Sequence, residues 1–318
     1  MIHSINSRRF VNLDFRAAAL VVSVLASMFA NTTIFGLNNS NLSYGYSACN
    51  CVIFAMDDIE DYGVNKVQLA IMDYFISKHL PFTASIIVSK LANSSNMRVF
   101  HKVEEGVNKG LFELAIHGYR HINHTLLSRE EQESEFTKAK GKLEYLFGKR
   151  ADIFDPPYNN FNLNTIEALS DQNISMLSSS PDTERIAFNP YKLKSLVVTN
   201  DSKLEVSKVS DQKPLVYHVP FSVSFLGLYM NGTSEDAFVP TVLRSIDESI
   251  AKYGFAEVRL HPSDFPKGDP VRGPAINELD PVKFQKLTET VDDLLARNIR
   301  IASIKDILPP SSSNNSSL

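Results

Sequence analysis

Three of the chain's eight histidines lie close together, in the segment ELAIHGYRHINHT. His117 and His121 are separated by three residues, a spacing that lets two imidazoles face one ion from a tight loop or a helical turn. A carboxylate from another strand would complete a facial set that leaves positions open for water and substrate. The pattern predicts a site for one divalent metal ion. His124 is the weaker candidate, an exposed or supporting histidine or a replacement for His121.

Two adjacent aspartates, Asp57 and Asp58, follow an apolar run and could serve such an ion in two ways. One would bind the ion, and its neighbour would take a proton from the attacking water. A divalent ion such as Zn²⁺ acidifies water and polarises a carbonyl group, which supports hydrolysis of an amide or ester. The aspartates therefore indicate metal-assisted hydrolysis. The alternatives are a chance spacing of the histidines and an aspartate pair that only caps a helix.

Short apolar segments of strand length must position these residues. They are CVIFAM (51–56), TASIIVS (83–89), LFELAIH (111–117), ADIFD (151–155), ISMLSS (174–179), PLVYHVP (214–220), FAEVRLH (255–261) and IRIASI (299–304). Helical periodicity fills most of the gaps, as in residues 64–79 and 281–298, and Ser128 to Glu131 forms a capping box. The repeated strand and helix units predict an α/β protein with parallel strands, either a closed (β/α) barrel or an open doubly wound sheet. The polar segment 180–213 is predicted to form loops and short strands over the barrel.

The polar residues stand where the predicted strands end. In a parallel barrel the carboxyl ends of the strands meet on one face, where active sites are built. The segment DPPY, which begins at Asp155, and His261 also follow strands directly. Each of these residues alone could simply terminate a strand. Their coincidence on one predicted face favours a functional site.

Composition narrows the classes of function. The 318 residues are 43% hydrophobic, which suffices for one large barrel or two ordinary domains. The net charge is -4 with both signs interspersed, so nucleic acid is not an expected partner, and no protein partner is predicted. Cys49 and Cys51 are separated by one residue, and we interpret them as packing residues that open a strand rather than as a disulfide.

Both ends of the chain are predicted to lie outside the catalytic domain, which spans residues 49–308. Residues 1–36 have the order of a signal sequence or membrane anchor, with arginines before an apolar run, and residues 37–48 read as a linker. The protein is therefore expected to be exported to the cell surface or beyond, with residues 17–37 as the segment that could anchor it in a membrane. The low-complexity tail, residues 309–318, is predicted to be disordered.

Four segments, FAMDD, HGYRH, DPPYNNFN and RLHPSDF, resemble in order and distance the successive motifs of the polysaccharide deacetylase family. Members of this family are metal-dependent carbohydrate esterases that remove N-acetyl groups from amino-sugar polymers. The resemblance extends over roughly residues 50–305 and implies a distorted (β/α) barrel of seven to eight parallel strands. It also implies an N-acetylated glycan as substrate and one divalent ion, zinc, with cobalt, nickel or manganese as alternatives. The implied metal ligands are Asp58, His117 and His121.

The resemblance assigns further roles residue by residue. Asp57 matches the catalytic base, and His261 matches the general acid that protonates the leaving amine. Tyr158, with Pro157 beside it, matches the position whose backbone amide helps to hold the oxyanion.

Asp155 departs from the family pattern, which usually has an arginine before PPY that holds the base aspartate. A carboxylate near Asp57 would raise the pKa of a carboxyl group, so Asp155 cannot replace a cation. We interpret Asp155 as the residue that orients His261, because the aspartate that normally does so has no evident counterpart. The alternatives are a residue that only ends its strand, weakened catalysis, or a cation from elsewhere such as Arg120, Lys192 or Lys194.

The sequence thus predicts an exported, metal-dependent deacetylase of a cell-surface glycan, in an atypical branch of the family. A hydrolase of another non-peptide amide bond is the alternative enzyme. A glycan-binding pseudoenzyme and a surface protein whose histidines serve only the structure are alternatives from other classes. The chain contains no tryptophan, which removes the commonest platform for sugar rings.

Overall fold

The computed structural model describes residues 49–93, 95–180, 216–268 and 276–307. The expected signal or anchor segment, the linker, nearly all of the irregular segment and the C-terminal tail fall outside these residues, so those domain boundaries stay predictions. Within the described parts of the chain, no helix is both long and apolar enough to span a membrane.

Strands and helices alternate along the described chain. The strands are β1 (Cys51–Ile59), β2 (Phe82–Ile86), β3 (Phe112–Ile116), β4 (Ile153–Phe154), β5 (Met176–Ser179), β6 (Tyr217–Pro220), β7 (Val223–Ser224), β8 (Phe255–Leu260), β9 (Pro266–Lys267), β10 (Ile276–Leu279) and β11 (Arg300–Ile301). The helices are α1 (Asn65–Ser77), α2 (Arg98–Asn108), α3 (Arg129–Phe147), α4 (Leu163–Asp171), α5 (Phe225–Met230), α6 (Glu235–Tyr253) and α7 (Pro281–Ala296). All eight expected strand segments contain a strand, and the capping box opens α3 as predicted.

One curved parallel sheet organises the fold. Its strands lie in the order β6, β5, β4, β3, β2, β1, β8, β7, and β11 also pairs with β1. From β1 to β6 each strand lies beside its predecessor, whereas a doubly wound sheet would reverse its direction part-way. The helices surround the curled sheet, which confirms the predicted distorted (β/α) barrel. The strands β9 and β10 form a separate antiparallel hairpin.

β1 lies at the centre of the sheet and is buried on both faces. Its first six residues, Cys51 to Met56, are at most 1% exposed. A strand covered on both sides reads as a continuous apolar run, which is how it appears in the sequence. Burial of β1 therefore fixes the position of the two aspartates near its C-terminal end.

Cys49 and Cys51 form a disulfide at the start of β1, so the interpretation of both as packing residues was wrong. Their Cα atoms are 5.1 Å apart, a distance that a disulfide spans. The residue between them, Asn50, has a left-handed backbone (φ 45°), which bends the chain so that the two side chains meet. Cys51 nevertheless opens the strand, as expected.

Candidate metal centre and active site

A bulge at the end of β1 brings both aspartates to the same site. In a regular strand, neighbouring side chains point to opposite faces. Asp58 instead has φ 57°, and the pairing of β1 with β2 is irregular between Met56 and Ile59. A bulge of this kind re-aims a side chain. Asp58 consequently faces the histidines, while Asp57 faces the barrel interior.

The two predicted histidine ligands lie on a tight loop that follows β3. Gly118 makes this loop possible because its φ is 78°, and a Cβ atom there would lie 2.4 Å from the carbonyl oxygen of Arg120. The Gly118 carbonyl accepts a hydrogen bond from the amide of Val88, at 3.1 Å. The loop is thereby held against the chain that follows β2, with His117 and His121 on the same side.

Asp58, His117 and His121 offer one ligand atom each, all within 4.8 Å of one another. Oδ1 of Asp58 lies 3.3 Å from Nε2 of His117 and 3.2 Å from Nε2 of His121. Nδ1 of His117 donates to the carbonyl oxygen of Asp155 at 2.8 Å, which leaves its Nε2 free to bind an ion. Two nitrogens and one carboxylate oxygen fit a divalent ion such as zinc, and the 38% exposure of the Asp58 side chain leaves an open side.

His124 is buried and does not belong to the ligand group, so of the alternatives given for it the supporting role agrees with the structure. It is fully excluded from solvent, and its ring lies 5.4 Å from Phe136 in a stacked arrangement and 5.0 Å from Phe154. Burial lowers the pKa of His124 to about 4. The neutral ring packs beneath the loop that carries His121.

Arg259 of β8 supplies a cation beside the predicted base. β8 pairs with β1 so that Arg259 lies opposite Ala55. Ala55 is two residues before Asp57, so the side chains of Arg259 and Asp57 lie on the same face of the sheet. Nη1 of Arg259 donates to Oδ2 of Asp57 at 3.1 Å. Burial raises the pKa of the Asp57 carboxyl, but Arg259 and then His117 outweigh it, and the pKa lies below its usual value. Asp57 is therefore ionised and able to accept a proton.

Asp155 contacts Arg259 rather than His261, which corrects the partner that we expected for it. Its Oδ1 accepts a hydrogen bond from Nη1 of Arg259, and its Oδ2 accepts one from Oγ of Ser85 at 3.0 Å. Burial raises the pKa of Asp155 well above its usual value, with Arg259 opposing the shift and Asp57 adding to it. Asp155 thus shares the guanidinium with the base.

His261 lies between Asp57 and a second buried aspartate, Asp264. Its Nε2 is 3.6 Å from Oδ2 of Asp57, and its Nδ1 is 3.8 Å from Oδ2 of Asp264, which also accepts from the His261 amide at 2.7 Å. Burial lowers the pKa of His261, but Asp264 and then Asp57 and Asp58 raise it more, to about 9. His261 therefore carries a proton at neutral pH. Asp264 makes the contact with His261 that we had expected of Asp155.

The DPPY segment forms a sharp turn beside the metal ligands. Tyr158 and Asn159 both have left-handed backbones, with φ values of 61° and 56°. The Tyr158 ring is 60% exposed and meets His121 edge-on at 4.6 Å, while Pro157 is buried. The turn thus brings the main chain at Tyr158 close to the site, and its role in holding an oxyanion stays a prediction.

Comparison with known families identifies the first half of the barrel. Residues 46–177 match the sequence profile described as Polysaccharide deacetylase. These residues belong to the polysaccharide deacetylase family. The matched range includes Asp57, Asp58 and both histidine ligands, whereas Arg259 and His261 lie beyond it. The comparison with curated protein sequences gave no match.

Solved structures with the same fold include deacetylase relatives and a pseudoenzyme. A candidate polysaccharide deacetylase from Mycobacterium smegmatis aligns with a TM-score of 0.53 and 18% identity, over 82% of this chain and 90% of that one. A carbohydrate esterase family 4 pseudoenzyme from Bacillus anthracis aligns with a TM-score of 0.51 and 13% identity, over 82% of this chain and 66% of that one. A mutant of that pseudoenzyme with restored enzymatic activity has the same score and identity, with 68% of its chain covered. These low identities establish the fold alone.

Arg259 is the centre of a buried cluster that the sequence reasoning missed. Its Nη2 donates to Oε1 of Glu257 at 2.6 Å and to Oγ of Ser178. Glu257, Arg259 and His261 alternate along β8 in FAEVRLH, so all three side chains point to the same face of the strand. Polar residues at every second position of a buried strand were the signal that could have revealed the cluster.

Arg120, one of the cations proposed for the site, does not take this place. Arg120 pairs with the buried Glu135 of α3, through Nη2 and Oε1 at 2.8 Å, and its amide donates to Oε2 of the same residue. This pair anchors the histidine loop. Lys192 and Lys194 lie outside the described residues. The alternative of a cation from elsewhere in the chain thus agrees with the structure, although the cation is Arg259.

Proposed function

We propose that this protein is a metal-dependent hydrolase that removes N-acetyl groups from the amino sugars of a cell-surface or extracellular glycan. The observation that carries the proposal is the convergence of three metal-ligand side chains with an ionised aspartate and a protonated histidine. Asp57 and His261 lie 3.6 Å apart at the edge of the ligand group. The family to which residues 46–177 belong supports the same reaction class.

Asp58, His117 and His121 would hold one divalent ion, zinc by the character of their donor atoms, with cobalt, nickel or manganese as alternatives. When bound, the ion supplies Lewis-acid polarisation of the acetyl carbonyl and acidifies a water molecule. Asp57 and His261, which lie beside these ligands, then carry out the two proton transfers.

Asp57 takes the proton from the attacking water, because its carboxyl is ionised and fixed by Arg259. We assign the stabilisation of the oxyanion to the main-chain amide of Tyr158, in the turn that begins at Pro157, as the resemblance to the family implies. His261 gives its proton to the departing nitrogen as the C–N bond breaks. Free amine and acetic acid are formed, and the acid ionises to acetate. Asp57 then releases its proton to solvent, and His261 takes one up, which completes the cycle.

A glycan-binding pseudoenzyme is the second candidate, since a pseudoenzyme shares the fold. Asp155, in place of the family's usual arginine, was the reason to consider it. The contact between Arg259 and Asp57 weakens this alternative, because the base still has a cation at hydrogen-bond distance. Turnover rather than binding alone is therefore our proposal.

Export to the cell surface or beyond is part of the proposal. The disulfide between Cys49 and Cys51 supports it, because disulfides persist in oxidising compartments and are rare in the cytosol. The arginine-flanked apolar segment near the N-terminus agrees with this placement, either as a cleaved signal or as an anchor.

The proposed function is tested by acetate release from N-acetylglucosamine oligomers, compared with small acetylated amides, with and without a chelator. We expect release from the oligomers, inhibition by the chelator and recovery on addition of zinc. Release from small amides alone would replace the glycan with another amide substrate. Oligomer binding without release from any substrate would identify a pseudoenzyme.

A further inference from the structure

A cavity of about 350 Å³ opens beside the metal ligands Asp58 and His121. Its opposite wall is the loop between β1 and α1, and Tyr62 stands at the rim of this loop with 46% of its surface exposed. The size is at the lower end of the range for ligand sites in proteins. An exposed aromatic ring next to a reaction centre is a candidate surface for a substrate.

A buried aspartate holds the loop that carries Tyr62. Asp61 is 2% exposed, and its two carboxylate oxygens accept hydrogen bonds from the amides of Ala92, at 2.6 Å, and Phe100, at 3.1 Å. Hydrogen bonds from main-chain amides to a buried carboxylate are among the stronger ones in proteins. The backbone next to Tyr62 is therefore fixed to the start of α2.

A buried glutamine fixes the same loop from the other side. Gln68 of α1 is 1% exposed, and its Oε1 accepts from the amide of Glu60 at 3.1 Å, while its Nε2 donates to the carbonyl of Tyr62 at 3.3 Å. The Tyr62 hydroxyl donates to the carbonyl of Asn93, also at 3.3 Å. The ring is held at both ends yet keeps an exposed face, which is the arrangement of a preorganised platform.

Lys90 and Glu60 compensate each other's charge on the cavity wall, while Asp58 lies at the end of the cavity next to the histidines. Nζ of Lys90 lies 2.6 Å from Oε2 of Glu60, and both residues line the cavity together with Ser263. A paired ammonium and carboxylate present both donors and acceptors without a net charge. Such a wall suits a neutral ligand that is rich in hydroxyl groups better than an anion.

We propose that Tyr62 is a stacking platform for a sugar ring next to the one whose acetamide group reaches the metal ligands. The hydroxyl groups of that neighbouring sugar would contact Lys90 and Glu60. This inference rests on the proposed function and adds to it the residue of this chain that would position the neighbouring sugar of the substrate. The aromatic ring and the sugar ring bury apolar faces against each other, a role for which tyrosine replaces the missing tryptophan.

The test compares Tyr62→Ala and Tyr62→Phe with the wild-type protein, using the N-acetylglucosamine monomer and tetramer as substrates. We expect Tyr62→Ala to lower the ratio of kcat/KM for tetramer over monomer by roughly tenfold, mainly through KM for the tetramer. Tyr62→Phe keeps the ring and should retain most of the ratio. Tyr145→Ala removes another exposed tyrosine, one that does not line the cavity, and should leave the ratio unchanged.

Two results would overturn the inference while leaving the proposed function intact. One is an equal loss of activity on monomer and tetramer in Tyr62→Ala, and the other is no loss on either. If the wild-type protein releases no acetate at all, the proposed function fails separately. Calorimetry then compares the binding of the tetramer to the wild-type protein and to Tyr62→Ala. Equal affinities would refute the role of Tyr62 as a platform, and weaker binding by the variant would support it.

Discussion

The proposed metal ligands and the residues around the proposed base are neighbours in space but differ in origin and environment. Asp58, His117 and His121 come from two short segments, and the Asp58 side chain is partly open to solvent. The cluster around Arg259 is almost completely buried and joins residues from four strand ends. The first group offers ligand atoms that could bind an ion, whereas the second contains a cation of the protein itself. One region is therefore organised for binding and the other for fixing a base.

The difference has an energetic reason. Burying a carboxylate without a partner is costly, and three carboxylates surround Arg259, which are Asp57, Asp155 and Glu257. The arginine compensates part of that cost only because the strands hold it in contact with all three. Breaking such a cluster by removing one partner is strongly destabilising, while a ligand group that faces solvent tolerates the loss of its ion. The two regions should respond differently to mutation.

Asp57→Asn should have the largest effect on turnover. Removal of a general base typically lowers the rate by about 10² to 10⁴-fold. The ligands on the other side of the bulge stay in place, so bound metal should remain near the wild-type level. Acetate release and metal content measured on the same sample check this, with the exposed Asp292→Asn as a control. Retained turnover would remove Asp57 from the role of base.

Arg259→Met should lower turnover by roughly 10- to 100-fold, as loss of a supporting partner usually does. It should also reduce the free energy of unfolding by about 3–5 kcal/mol, because buried carboxylates lose their cation. Rates and denaturant midpoints measure both effects, with the surface substitution Arg297→Met as the control.

The double variant Asp155→Arg, Arg259→Asp exchanges the two side chains and tests whether the cation can act from the other position. It returns an arginine to the place where the family usually has one, and we expect the double variant to be more active than Arg259→Met. A double variant that folds and is no more active would show that the position of the charge, and not only its presence, matters.

His261 should make the stability of the metal-free protein depend on pH. Its pKa rises from an ordinary 6.5 to about 9 on folding, so the protonated form stabilises the fold. The contribution, about 3 kcal/mol, is fully present below pH 6.5, declines between pH 6.5 and 9, and is lost above pH 9. Urea unfolding of the wild-type protein and His261→Gln at pH 6 and pH 10 checks this. A stability difference that is equal at both pH values would contradict it.

Glu135→Gln should have the smallest effect, a loss of metal affinity of less than about tenfold. Glu135 holds the histidine loop through Arg120 and does not touch the ligands themselves. Titration of the metal-free protein with zinc measures the affinity, with Glu133→Gln on the same helix as the matched control. A loss as large as that in a ligand variant would mean that the loop cannot form without the pair.

The sequence was sufficient for the barrel and for the grouping of Asp58, His117 and His121. Apolar runs identified the strands because burial on both faces leaves a continuous pattern, and the spacing of His117 and His121 reflects a single tight loop. Asp58, on a distant segment, was added to the histidines through the resemblance to the family. The apolar runs and the histidine spacing are local patterns, and the structure retains them.

The cluster around the base escaped prediction because its contacts connect different strands. Arg259 is 202 residues from Asp57 and meets it through strand register, which no local spacing encodes. Asp264, three residues after His261 in RLHPSDF, was not predicted as its partner. The disulfide was rejected because one intervening residue looked too short, and the left-handed backbone of Asn50 was not foreseeable from its neighbours.

The most direct test of the account is the metal content of three purified proteins, the wild type, His117→Ala and Asp57→Asn, loaded with zinc and dialysed. We expect about one ion per chain in the wild type and in Asp57→Asn, and none in His117→Ala. Together with acetate release by the wild type alone, this result would establish a ligand group and a base that act separately. An equal metal content in all three proteins, or none in the wild type, would contradict the site described for Asp58, His117 and His121.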